Sequence, residues 1–205
     1  SLIDEAGVGN PALAQITNIV YGAAPASDGL LRDLLAAFPN TRLKQAYGQT
    51  EIAGACAILP PEVHQIGDPR LSCAGRATHS VQMRIIGPDG QELPRGSAGE
   101  IAVAGPRVMR GYWNLPDQTA QTIIDGWLRT GDVGIMDDQG YVRIVDRLKD
   151  MIVSGGENVF CGEVEAVLDR HPDVAAVAVV GVPDPLWGEA VHAFVVPVSA
   201  APDPA

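Results

Sequence analysis

The run Tyr47-Gly48-Gln49-Thr50-Glu51 has residue types suited to a phosphate and a divalent cation. Gly48 lets backbone approach a ligand closely. Thr50 offers a hydroxyl to a phosphate oxygen, and Glu51 offers a hard carboxylate to Mg2+. Thr130-Gly131-Asp132 places a carboxylate after a glycine turn. There it can accept both hydroxyls of a ribose, in charge-assisted bonds of about 1.5–3 kcal/mol each. Asp146-Arg147-Leu148-Lys149-Asp150 concentrates charge between apolar stretches, with Arg147 able to reach a nucleotide oxygen and Lys149 at a mobile joint. Ser154-Gly155-Gly156-Glu157-Asn158 reads as a glycine-rich turn directly before a helix, with neither GxGxxG nor Walker spacing. Glu163 and Glu165 on that helix add only a weak suggestion of a metal site. Trp187-Gly188 follows Asp184-Pro185, which leaves the indole on a loop, either as core or as a stacking face for an adenine ring. Taken singly, each run has an ordinary reading: a loop, an Asx-capped turn, a solvated linker, a tight β-turn.

Composition narrows the classes. The net charge of −11 argues against a phosphate-backbone binder, which needs clustered Lys and Arg, so no nucleic-acid partner is expected. Two lysines, Lys44 and Lys149, stand against twelve arginines. No apolar run approaches the ~20 residues that span a bilayer, and the N-terminal residues carry no export signal. Cys56, Cys73 and Cys161 lie far apart in no metal-ligand spacing and read as free thiols of a reducing, cytoplasmic protein. His64, His79 and His192 form no catalytic constellation with Ser, Cys or Asp.

The elements that must position these residues follow from periodicity. Ile16–Tyr21 reads as a strand, and Ser27 as the cap of a helix that sets Leu30, Leu31, Leu34, Leu35 and Phe38 on one face. Arg42–Ala46 is the next strand, so the order is that of a parallel α/β unit. Beyond Pro60-Pro61, alternation at Val81–Ile86 and strands at Glu100–Ala104, Trp127–Thr130, Val133–Met136 and Tyr141–Val145 suggest a small antiparallel sheet or barrel. Gln118–Ile124 is the helix expected within it. Gly162–Arg170 is a helix, and Val174–Val180 and Ala190–Val198 are apolar strands of the kind covered by helices. The fold class is α/β in the mixed α+β sense. Residues 1–146 would be the end of a large domain, with an α/β unit to about residue 60 and an antiparallel barrel-like part over about 75–146. Residues 147–205 would be part of a small α/β domain.

The order of the runs is more telling than any one of them. Gly22-Ala23-Ala24-Pro25, Tyr47–Glu51, Gly99-Glu100-Ile101 through Gly111-Tyr112-Trp113, Trp127–Asp132, Asp146–Asp150, Ser154–Asn158, Gly162–Glu165, Val180–Asp184 and Trp187-Gly188-Glu189 succeed one another. Over roughly Tyr21 to Val198 this resembles the adenylate-forming superfamily of acyl-CoA synthetases, aryl-CoA ligases and firefly luciferase. The resemblance implies an AMP-forming acyl-CoA ligase, which activates a fatty or aryl carboxylic acid with ATP and Mg2+ and passes it to CoA. It implies that Gly22, Ala23 and Ala24 line the adenine and acyl pockets, that Tyr47 stacks on adenine, and that Gly48 belongs to the same nucleotide site. Thr50 would meet the α-phosphate, Glu51 the Mg2+, Asp132 the ribose and Arg147 the nucleotide. Lys149 would be the hinge. Gly155 and Gly156 would line the pantetheine channel, and Trp187 would contact the CoA adenine.

Two departures accompany the resemblance. The family's Pro-Lys-Gly phosphate loop would lie before Tyr21 and its catalytic Lys beyond Val198, so the 205-residue chain is expected to be inactive alone. Rival readings are a peptide-synthetase-type adenylation domain and a non-catalytic binding module. The first is disfavoured because Met151-Ile152-Val153-Ser154-Gly155-Gly156-Glu157-Asn158 stands where such domains carry Gln-Val-Lys-Ile-Arg-Gly.

Overall fold

A computed structural model describes residues 13–24, 26 and 28–198. The expected cap Ser27, Pro25 and the tail from Ser199 lie outside the described residues. The chain divides into two compact units, one holding the residues up to Thr130 together with Ile135–Ile144, the other holding Gly131–Gly134 together with Val145 onward.

The first unit opens with β1 (Asn18–Gly22), α1 (Asp28–Ala37) and β2 (Arg42–Gln49). β1 and β2 pair in parallel, Asn18 opposite Arg42 through Gly22 opposite Ala46, as the strand–helix–strand order requires. Leu31 of α1 and Phe38 just beyond it are buried, so the apolar stripe of the helix does face the core. β3 (Gly54–Leu59) turns back antiparallel to β2, and β4 (Arg76–Ala77) closes the sheet in the order β1-β2-β3-β4.

A second sheet contains β5 (Gln82–Ile86), β6 (Ala98–Ala104), β7 (Ile123–Ile124), β8 (Trp127–Met136) and β9 (Val142–Arg147). Its order is β5-β6-β8-β7, with β9 also paired to β8. The short helix α2 (Pro116–Thr122) ends two residues earlier than its periodicity suggested. Ile123 and Ile124 leave it to pair with Leu128 and Trp127. β8 is one strand where two were expected: the Thr130 hydroxyl donates to the Ile101 carbonyl at 2.8 Å, and Asp132 sits inside the strand instead of after a turn. Tyr47, Ile52, Cys56, Ile85, Ile101, Val103, Leu128, Met136 and Val142 join both sheets of this unit in one apolar cluster. Each large aliphatic side chain buried there stabilises the fold by roughly 1.5–3 kcal/mol.

The second unit holds a sheet of β10 (Ile152–Ser154), β11 (Glu157–Val159), β12 (Val174–Asp184) and β13 (Gly188–Pro197) in the order β11-β10-β13-β12. Helix α3 (Cys161–Leu168) packs on β12, and Ile152, Cys161 and Val179 form its core. Glu165 is not free for a metal: it accepts the Val179 N–H at 2.8 Å. The expectation of strands covered by helices fails for β13, where Phe194 is 65% exposed and Val195 and Val196 are also open, as is Val198 just beyond it. α3 covers only part of one face.

Candidate functional site

In the first unit a depression of about 410 Å³ is lined by Ala23, Ala46, Gly48, Gln49, Thr50, Gly54 and Ala55. It forms where β1 ends and β2 passes into β3. The β2–β3 register shifts between Tyr47 and Gly48, and a bulge of this kind re-aims the residues that follow. A Cβ on Gly48 would stand 1.9 Å from the Gly54 carbonyl oxygen, so only glycine lets the two backbones approach. Immediately after it, Thr50–Ile52 form a 3-10 turn that leaves Thr50 exposed and Glu51 half-buried. Three bonds from a single loop cross this turn. Arg107 Nη2 donates to the Ala53 carbonyl at 3.2 Å, Met109 N donates to the Glu51 carbonyl at 2.8 Å, and the Tyr112 hydroxyl donates to Glu51 Oε1 at 2.9 Å.

In the second unit Asp132, nearly buried, meets Arg147 at 3.8 Å between Oδ1 and Nε. Arg147 is 63% exposed, so the pair contributes little to stability, about 0–1 kcal/mol at most. Leu148 N donates to the Gly131 carbonyl at 2.7 Å, which holds the charged run beside Asp132. Lys149 lies exposed in a turn closed by Asp150 N and Met151 N, both donating to the Arg147 carbonyl.

Gly155 and Gly156 do not lead directly into a helix, as expected from the sequence; they form the two-residue turn of the β10–β11 hairpin, and α3 starts only at Cys161. Their φ angles of +60° and +87° are those of a type I′ turn, which glycine adopts without strain. Trp187 packs against the turn, so that a Cβ on Gly155 would lie 2.7 Å from its Cε3, and Gly155 N donates to the Trp187 carbonyl at 2.8 Å. Asp184 Oδ1 fixes Trp187 in turn, accepting the Leu186 and Trp187 N–H groups at 2.8 Å each. Those two bonds hold the Asp184 carboxyl below its ordinary pKa.

Both ends of the chain match known family models. A family model described as AMP-binding enzyme matches residues 5–113, and one described as AMP-binding enzyme C-terminal domain matches residues 163–204. The chain belongs to the AMP-binding enzyme family. It is 45% identical to a fatty-acid–acyl-carrier-protein ligase of Streptomyces coeruleorubidus over 95% of its own length and 37% of that protein's. It is 44% identical to a medium/long-chain-fatty-acid–CoA ligase of Mycobacterium tuberculosis over 90% of its length and 32% of that protein's. Among solved structures, the amide bond synthetase McbA from Marinactinospora thermotolerans superposes with a TM-score of 0.83 at 42% identity, covering 97% of this chain and 40% of that one. The chain therefore spans about two fifths or less of the lengths of these AMP-binding enzymes.

Of the residues singled out from sequence, Ala23, Gly48 and Thr50 share one depression, with Glu51 next in sequence; Gly22 ends β1 beside it, and Ala24 is exposed. Asp132 and Arg147 form a second group, and Gly155, Gly156 and Trp187 a third. Tyr47 is the exception. It is 8% exposed, sits in the apolar cluster and does not line the depression. An adenine stacked on it would need its buried ring to open. Two partnerships escaped the sequence reading. Tyr112 was visible only as part of the Gly-Tyr-Trp run. His64, expected in no catalytic constellation, accepts from the Tyr21 hydroxyl at 3.0 Å and lies 2.9 Å from the Pro60 carbonyl. With Nδ1 donating to that carbonyl, Nε2 is the acceptor for Tyr21. Burial lowers the His64 pKa and raises that of Tyr21 to about 12.

Proposed function

We propose that these residues are the nucleotide- and thiol-handling part of an AMP-forming ligase that activates a carboxylic acid and transfers it to CoA. The observation that carries this reading is the depression at Ala23, Gly48 and Thr50, followed in sequence by a half-buried Glu51 with one of its carboxylate oxygens held by Tyr112. In the first step the substrate carboxylate oxygen attacks the ATP α-phosphorus. The new P–O bond gives acyl-AMP, and the bond to the β-phosphate breaks to release pyrophosphate. Thr50 donates its hydroxyl to an α-phosphate oxygen; Asp132 accepts from the ribose hydroxyls, and Arg147, paired with Asp132, reaches a nucleotide oxygen.

The donors suit a cation that arrives with ATP. No group of three or more His, Cys, Asp or Glu converges among the described residues, and Mg2+ is ordinarily held by one or two carboxylates plus substrate phosphates. Bound there, Mg2+ supplies charge neutralisation at the phosphates, and Glu51 is the residue that would hold it. In the second step the CoA sulfur attacks the acyl carbon, the C–O bond to the phosphate breaks, and AMP leaves. Gly155 and Gly156 keep side chains out of the pantetheine path, and Trp187 offers a face to the CoA adenine. The roles of Gly22, Ala23 and Ala24 at the adenine and acyl pockets, and of Lys149 as hinge, complete this reading.

A second reading concerns the acceptor, since a relative at 45% identity is named a ligase for an acyl-carrier protein. The test uses the full-length enzyme containing this chain. Acid-dependent exchange of labelled pyrophosphate into ATP should appear with fatty or aryl acids, followed by thioester formation with CoA. Exchange without CoA transfer, but with transfer to a phosphopantetheinylated carrier, selects the second reading. No exchange with any carboxylic acid overturns both.

A further inference from the structure

We propose that Tyr112 is a positioning residue for Glu51, holding one carboxylate oxygen so that the other is presented, already oriented, to a divalent cation. This rests on the reading of Glu51 as the metal-holding residue. The phenol hydroxyl donates to Oε1 at 2.9 Å across a sequence separation of 61 residues. Among the described residues no hydrogen bond to Oε2 is found, so the two oxygens are not equivalent.

The donor is itself fixed. Tyr112 N donates to Thr119 Oγ1 at 2.9 Å, and Thr119 Oγ1 donates to the Leu115 carbonyl at 2.8 Å, which anchors the tyrosine backbone to α2. Gly111 permits this approach, because a Cβ there would lie 2.7 Å from Thr119 Cγ2. Met109 N and Arg107 tie the same loop to the backbone of Glu51 and Ala53. One loop thus fixes both the main chain and the side chain of the turn that bears Glu51. A carboxylate free to rotate would have to be ordered as the cation binds, and a preset one avoids that cost.

The test is made on the full-length enzyme, with Mn2+ as the probe in the presence of α,β-methylene-ATP, and free Mn2+ read by electron paramagnetic resonance. Tyr112→Phe keeps the ring and removes the donor. It should weaken Mn2+ binding about tenfold, the scale of losing one hydrogen bond to a charged group. Transfer to CoA from acyl-AMP supplied directly should keep its rate. Thr119→Val, which removes the anchor without touching Tyr112 itself, should move Mn2+ affinity in the same direction. Tyr112→Phe should add nothing in a Glu51→Gln background. Unchanged Mn2+ affinity in Tyr112→Phe, with Glu51→Gln weakened, overturns the role of Tyr112 and leaves the proposed function standing. Unchanged affinity in Glu51→Gln overturns the metal reading of Glu51, and the role of Tyr112 falls with it.

Discussion

Asp132 is nearly buried inside β8, and Arg147 beside it keeps most of its surface in water. A carboxylate so placed accepts hydrogen bonds in a partly desolvated setting, where losing one to a charged group costs about 1.5–3 kcal/mol. Asp132→Ala in the full-length enzyme should therefore raise KM for ATP by about tenfold or more. The 2′-deoxy analogue should cost that variant little beyond what it has already lost. Equal sensitivity of variant and parent to the analogue would remove the ribose from Asp132. At Gly155 the constraint is steric. An added Cβ meets Trp187 at 2.7 Å, and φ is +60°, which costs a non-glycine residue roughly 1–2 kcal/mol. Gly155→Ala should slow CoA transfer from supplied acyl-AMP while sparing pyrophosphate exchange. Trp187→Ala in the same chain removes the clash and should restore part of the thermal stability lost in Gly155→Ala, while CoA transfer stays low because the face for the CoA adenine is gone. If the double variant melts no higher than expected from adding the two single losses, the indole is not what the new methyl strikes.

Elements long enough to show a period were legible in the sequence. α1 and the parallel β1–β2 pair followed from the leucine spacing and from the strand–helix–strand order. β4 and β7, two residues each, and β10 and β11, three each, carry no period, which is why the glycine turn was assigned to a helix start instead of a hairpin. Long-range partners were illegible for a different reason. Nothing local in Tyr112 or Glu51 announces a bond across 61 positions, and nothing in Tyr47-Gly48 says that the ring turns into the core. The turn at Leu148-Lys149-Asp150 belongs to this scale. It is closed by N–H groups of Asp150 and Met151, and neither bond uses the N–H of Lys149. Lys149→Pro therefore fixes φ near −65° without deleting a bond of that turn. If residues here absorb a rotation between the two half-reactions, the variant should retain acyl-AMP formation and lose most transfer to CoA, with Lys149→Ala mild in both. Timing each half-reaction separately decides it: equal slowing makes the residue structural, and no slowing puts the pivot elsewhere.

For the whole molecule, charge is the governing quantity. A chain of net charge −11 repels ATP at long range, and the residues lining the depression, Ala23, Ala46, Gly48, Gln49, Thr50, Gly54 and Ala55, carry no formal charge. On the proposed function, Thr50 would supply a neutral donor and Glu51 a negative group, so positive charge at the α-phosphate would have to come from the cation and from side chains beyond this lining. Lysine is the usual point charge for a transferring phosphate, yet Lys44 lies within β2 and Lys149 in the turn after β9. Local positioning without that charge lowers the barrier little, because electrostatic stabilisation is usually the largest single contribution. The 205 residues purified alone should release no pyrophosphate above background with a panel of fatty and aryl acids, while the full-length enzyme does under the same conditions. Acid-dependent release by the 205 residues would mean that the arginines here supply what the lysine was expected to. Raising ionic strength toward 0.15 M, where the Debye length falls to about 8 Å, should leave the null result unchanged, since screening removes repulsion but adds no donor.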